Sequence, residues 1–138
     1  MQRRVRKLFL FPLLFLAPAI PGFAIDISPN LAANHIGQIV TVRGMVSQVY
    51  VNKQSNVYLN FGGAYPHHLF SAVVRKRRSP EMLADGPQWL KDLEGKEVAV
   101  TGEVKIYAAK PEIVIRAREN LRILEAKTQE TKTEETKK

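Results

Sequence analysis

Cysteine is absent from all 138 residues. No disulfide can brace the fold, no thiolate can hold a zinc ion and no cysteine nucleophile is available. Histidine is scarce too, with three residues, His35, His67 and His68. Together they could offer three nitrogen ligands. However, adjacent residues of an extended chain point to opposite sides, and no acid lies near His67 and His68 in sequence, so the pair suits one ion poorly. No serine stands in a nucleophile-elbow pattern, and no Ser-His-Asp set can be assembled. The chain therefore reads as a non-enzyme with no metal and no cofactor. No internal repeat is visible.

Long apolar runs are as rare. The one candidate, Leu8 to Leu16, follows Arg3, Arg4, Arg6 and Lys7, the charged head and greasy core of a secretory signal. Gly22-Phe23-Ala24 places small residues three and one before Ile25, so the expected cut follows Ala24. The run is too short to cross a bilayer of about 30 Å as a helix, and no cysteine follows to carry a lipid. The expectation is a periplasmic or secreted protein with no stable membrane insertion after cleavage. Removing residues 1–24 takes four basic residues and no acid, which lowers the formal charge from +8 to +4. Such a moderate charge favours polyanions in general without choosing among nucleic acid, anionic lipid and acidic polysaccharide.

The end of the chain, "EAKTQETKTEETKK" from Glu125, balances four acids against four lysines with no apolar period and reads as a disordered, solvated tail over 125–138. What remains, residues 25–124, is the size of one small domain.

Within it, "QIVTVRGMVSQVYV" from Gln38 puts Val40, Val42 and Val46 on one parity and Val49 and Val51 on the other. A long first strand that slips near Gly44 accounts for both. "NKQSN", Asn52 to Asn56, is a polar hairpin loop. In the second strand Val57, Leu59 and Phe61 face one way and Tyr58 and Asn60 the other. A third strand runs from about Leu69 to Val74. Ser79 can cap a helix, with Pro80 in its first turn and Glu81 complementing the dipole. Gly86-Pro87 must break that helix, leaving a second turn in which Trp89, Leu90 and Leu93 pack inward. "GKEVAVTGEVKIY" is a fourth strand with Val98, Val100, Val104 and Ile106 on one face and a second bend at Gly102. After a turn at Ala108 to Pro111, "EIVIRAR" is the fifth. A short helical turn from Ser28-Pro29, closed by His35 before Gly37, precedes them all.

Three strands, a helical insert and two strands, with a long bent first strand, is the order of a five-stranded OB-fold barrel, a mainly β class. "HIGQIVTVRGMV", "SNVYLNFGGAYPHHLFSAVV", "LEGKEVAVTGEV" and "YAAKPEIVI" resemble the exported bacterial OB-fold domains of the tRNA-anticodon/helicase type, some of which are attached to extracellular nucleases. The resemblance spans roughly Ala32 to Leu124. Its most specific pieces are Asn-Phe-Gly and Tyr-Pro of the second hairpin and Lys-Pro-Glu-Ile before the last strand. It implies a barrel and nucleic-acid binding, and no catalytic residues. A barrel nuclease needs clustered carboxylates for calcium and arginines for the transition state, whereas Glu97, Glu103 and Glu112 fall on outward strand positions or in turns.

An OB barrel usually binds on the face of its second and third strands, bordered by the loops between strands one and two and between four and five. That directs attention to Tyr58, Asn60, Lys53, Tyr107 and Lys110, with Arg116, Arg118 and the run Arg75 to Arg78 widening a basic track. Tyr65 joins them from the loop containing Gly62, Gly63 and Pro66, a segment that architecture alone could also explain. Aromatic faces for bases and cations for phosphates are what single-stranded DNA or RNA requires. Tyrosines are also common on any exposed sheet, and a basic run is often only a solvated edge. The alternative is a non-catalytic envelope domain that binds a protein or another ligand, including an accessory to a nuclease.

Overall fold

The computed structural model describes residues 22–125. Most of the expected leader, 1–21, and the tail beyond residue 125 lie outside the described residues. In chain order the elements are β1 (Asp26–Ile27), a 3-10 turn Pro29–His35, β2 (Ile39–Val51), β3 (Val57–Phe61), β4 (Phe70–Val74), a 3-10 turn Pro80–Leu83, α1 (Gln88–Lys91), β5 (Glu97–Glu103), β6 (Lys105–Tyr107), β7 (Lys110–Ile115), a 3-10 turn Arg118–Asn120 and β8 (Leu121–Ile123). The protein is mainly β, with one eight-stranded sheet in the order β6-β7-β4-β3-β2-β5-β8 and β1 parallel to β2. The short helical insert sits between β4 and β5, as expected. No helix among the described residues is long and apolar enough to cross a membrane.

The inward parities follow the alternation of the sequence. Val40, Val42, Val46, Val57, Leu59, Phe61, Val98, Val100, Val104, Ile113 and Ile115 are all buried in one core with Leu90 and Leu93 of the insert. Ile106 departs from its expected face and is exposed. The reason is a change of partner: segment 97–107 pairs with β2 through β5, bridges Ile36 at Val104, then pairs with β7 through β6. No hydrogen-bonded ladder joins β5 to β7, so the sheet is open where a closed five-stranded barrel was expected. The two strands still approach at Gly102, where an added Cβ would meet Ile113 Cγ2 at 2.6 Å.

The slip in β2 falls between Val46 and Gln48, at Ser47 and not at Gly44. A bulge there needs no glycine. Gly44 serves a different contact, since a Cβ would lie 2.7 Å from Pro29 Cγ of the first 3-10 turn. Ser79 makes no side-chain cap. It is buried, and its hydroxyl donates to the Ile115 carbonyl at 3.0 Å, tying the start of the insert to the end of β7. The expected fifth strand, β7, also stops at Ile115, short of Arg118, and β1 and β8 add two pairings not expected from the sequence.

Candidate functional site

The turn Asn52 to Asn56 fixes the register of the β2–β3 hairpin. Asn52 Oδ1 accepts the backbone N–H of Gln54 and of Asn56, at 3.0 and 2.9 Å. Tyr50 is thereby set opposite Tyr58, with ring centroids 6.1 Å apart. On the far side of β3, Asn60 pairs with Ser71 of β4, and β4 runs parallel to β7 with Ser71 opposite Glu112. The tight turn at Ala108 and Ala109, both at positive φ, brings Tyr107 opposite Lys110.

The bulge in β2 directs two side chains at the β3–β4 connection, the stretch around Gly62 to His68. Ser47 Oγ accepts the Gly63 N–H at 3.1 Å, and Gln48 Oε1 accepts the Tyr65 N–H at 3.0 Å. Gly62 and Gly63 both lie at positive φ, and the Tyr65–Pro66 peptide is cis. The loop is therefore braced on β2, and its Tyr65 ring stacks on His68 at a centroid distance of 5.9 Å.

These elements enclose an open cleft of about 730 Å³ lined by Tyr50, Tyr58, Tyr65 and Tyr107 together with Gln48, His68, Lys110 and Glu112. Those four are every tyrosine in the chain. A second cleft of about 1280 Å³ shares Tyr107 and Glu112 and is lined by Arg75, Lys76, Arg77, Arg78, Lys105 and Arg116. Arg75 stands at the boundary: its Nη2 donates to Glu112 Oε1 at 2.7 Å, and its guanidinium carbon lies 5.1 Å from the Tyr107 ring centroid.

Of the residues expected from the sequence, Tyr58, Asn60, Tyr65, Tyr107 and Lys110 gather at the tyrosine cleft and Arg116 lies in the basic one. Lys53 is exposed in the hairpin loop and lines neither. Asn60 is only 3% exposed and is committed inward: its amide nitrogen donates to Gln48 Oε1 at 2.9 Å and its oxygen accepts the Ser71 hydroxyl at 2.7 Å. It braces the cleft and offers little to a ligand. Glu112, read as outward or in a turn, is 5% exposed because Arg75 neutralises it from below. Tyr50 was missed as well. Counting across the five-residue loop pairs it with Tyr58, so the hairpin itself carried that signal.

Burial pushes the Tyr58 phenol up, only partly countered by Arg75, so its hydroxyl stays protonated at neutral pH. Burial, aided by the Lys110 cation, pulls the His68 imidazole below its ordinary value. His68 Nδ1 is buried without a hydrogen-bond partner. His35 lies elsewhere, with Nδ1 2.9 Å from Gln38 Oε1. Among the described residues no group of three or more His, Cys, Asp or Glu could hold a metal ion.

Fold and clefts together define a small mainly β protein with an aromatic cleft continuous with a basic one. No protein-family model matches the chain, and no curated protein matches it. Among solved structures it is similar to OBody AM1L10 bound to hen egg-white lysozyme, at 18% identity over 67% of this chain and 85% of that one, with a TM-score of 0.48. It is also similar to a Leishmania major protein assigned as an aspartyl-tRNA synthetase (10% identity, 78% of this chain, TM-score 0.47) and to asparaginyl-tRNA synthetase from Pyrococcus horikoshii (18%, 67%, 0.44). The chain spans 22% and 21% of those two synthetases. At such identities and scores no activity passes from these proteins to this one.

Proposed function

We propose that this protein is an exported, non-enzymatic module of OB type that binds single-stranded nucleic acid, stacking bases in the tyrosine cleft and setting phosphates in the basic cleft. The observation that carries the reading is the convergence of all four tyrosines on one cleft that opens onto a cluster of arginines and lysines. Every base has a π-face, so tyrosines hold bases irrespective of sequence, and the neighbouring cations follow the backbone. An OB-type arrangement is supported by the strand order, by the parallel β4–β7 pair and by the insert before β5. Export rests on the N-terminal residues of the sequence, with periplasmic or secreted location as the proposal.

Fluorescence anisotropy of the protein with labelled single-stranded DNA and RNA tests this directly. Saturable binding that weakens with salt, as counterion release requires, is the expected result. A complete lack of binding at low salt would falsify it and turn the search to a protein partner of the cell envelope.

A further inference from the structure

The tyrosine cleft has a floor whose hydrogen-bonding pattern is set before any ligand arrives. The Tyr65 backbone N–H donates to the Gln48 side chain, which identifies the accepting atom as the amide oxygen. The same oxygen accepts Asn60 Nδ2, leaving Asn60 Oδ1 for the Ser71 hydroxyl. Gln48 Nε2 is thus held as a donor, and it has no protein partner among the described residues. The Lys110 ammonium commits one of its three hydrogens to the His68 carbonyl at 2.8 Å and keeps two. One carboxylate, Glu112, lines the cleft; its Oε1 holds Arg75, while Oε2 has no partner among the described residues. Two kinds of donor and one charged acceptor therefore line the same cleft as the four tyrosines.

Resting on the nucleic-acid reading above, we infer that this floor selects the base it receives, preferring guanine and disfavouring thymine and uracil. Guanine presents two adjacent donors, N1–H and N2–H₂, which suit a carboxylate, and the O6 acceptor beside them, which suits Lys110 or Gln48. Thymine and uracil carry a single N3–H between two carbonyl oxygens, so a carboxylate that accepts N3–H is flanked on both sides by like polarity, whereas guanine offers it two donors side by side. Adenine and cytosine, with one exocyclic amine each, fall between. Discrimination arises because the wrong base leaves desolvated polar groups of the site unpaired. The Arg75 contact strengthens the effect by holding the carboxylate in one orientation.

The test is anisotropy of the full chain with a short oligothymidylate and with the same oligomer carrying one central dG, dC or dA. A single dG is expected to tighten binding about tenfold over all-thymidine, the size of one good polar base contact. Glu112→Gln should bring the two oligomers within about twofold of each other, since a neutral amide no longer repels thymine carbonyls. Lys110→Met, which leaves the Arg75–Glu112 pair untouched, should lower the dG preference as well and carries the test if Glu112→Gln does not fold. Equal affinity for the four oligomers, or a preference for thymidine, overturns the selection while leaving nucleic-acid binding in place. Binding to none of them overturns the nucleic-acid reading itself.

Discussion

Arg75 Nη2 lies 2.7 Å from Glu112 Oε1, and the carboxylate side chain of that pair is only 6% exposed. The other two ion pairs among the described residues, Arg43–Asp26 and Lys105–Glu103, are about half exposed on both sides and add little to stability. For Arg75, burial works against the charge, but the hydrogen bond and field of Glu112 outweigh it, so its guanidinium is held more firmly protonated. Arg75→Met strands a buried carboxylate and should cost about 1.5–3 kcal/mol. Urea midpoints measure it, and Arg75→Met with Glu112→Leu should recover most of the loss, because the stranded charge is then gone.

Binding should separate into two contributions. Tyr58→Ala is expected to weaken single-stranded DNA binding by about 1–3 kcal/mol while leaving the salt dependence unchanged. Arg77→Gln, in the basic cleft, should lower the slope of log affinity against log salt by about one while affecting all sequences alike. Titrations at three salt concentrations distinguish the two. A Tyr58 variant whose loss appears only in the salt slope would contradict the assignment of bases to the tyrosines.

Acid should destabilise the protein through His68. Its folded value lies below the ordinary 6.5 because of burial and then Lys110, so between the two values the unfolded chain binds the extra proton. Stability is therefore unaffected above about pH 6.5 and declines as the pH falls below it. His68→Phe keeps the stack on Tyr65, removes the unpartnered nitrogen and should flatten that decline. Melting temperatures at pH 7.5 and 5.0 give the comparison.

Gly62 is a position of conformational need. It lies at φ +70, and an added Cβ would sit 2.6 Å from Leu69 Cδ1. The clash continues to Leu69 Cγ at 2.7 Å and Cβ at 3.0 Å, close to that residue's backbone, so it adds to the backbone cost and Gly62→Ala should destabilise by more than about 1–2 kcal/mol. A two-state chemical denaturation series reads it.

The helical insert has its own reporter in the single tryptophan, Trp89. Its indole N–H donates to the Met82 carbonyl at 2.9 Å, and the Arg118 guanidinium carbon lies 3.6 Å from its ring centroid. Arg118→Ala should cost about 0.5–1 kcal/mol and shift the tryptophan emission to longer wavelength as the exposed ring gains water.

Much of the core was legible because strand alternation is a local signal: Val57, Leu59 and Phe61 are separated from Tyr58 by nothing more than the pleat. The break of the insert at Gly86-Pro87 is equally local, and the insert divides there into the turn Pro80–Leu83 and α1. What escaped is set by distant partners. Glu112 is buried because Arg75, 37 residues earlier, reaches it. Asn60 is buried on the cleft face because the bulge at Ser47 delivers Gln48 to its amide. Ile106 is exposed because its segment has left β2 for β7. The tyrosines Tyr58, Tyr65 and Tyr107 could be named singly from the sequence, but their convergence with Tyr50 depends on strands brought together from across the chain.

The parallel pairing of β4 with β7 has a consequence for assembly. Val74, where β4 ends, and Lys110, where β7 begins, are separated in sequence by the insert and by β5 and β6. A nascent chain that stops short of Lys110 owns the hairpin with Tyr50 and Tyr58 but lacks Glu112 and the wall opposite. Closing so long a loop is entropically slow. The hairpin can form early, whereas the cleft is completed only by residues 110–125, about the last sixth of the described chain, so a truncated product would carry part of the cleft lining and no means of completing it.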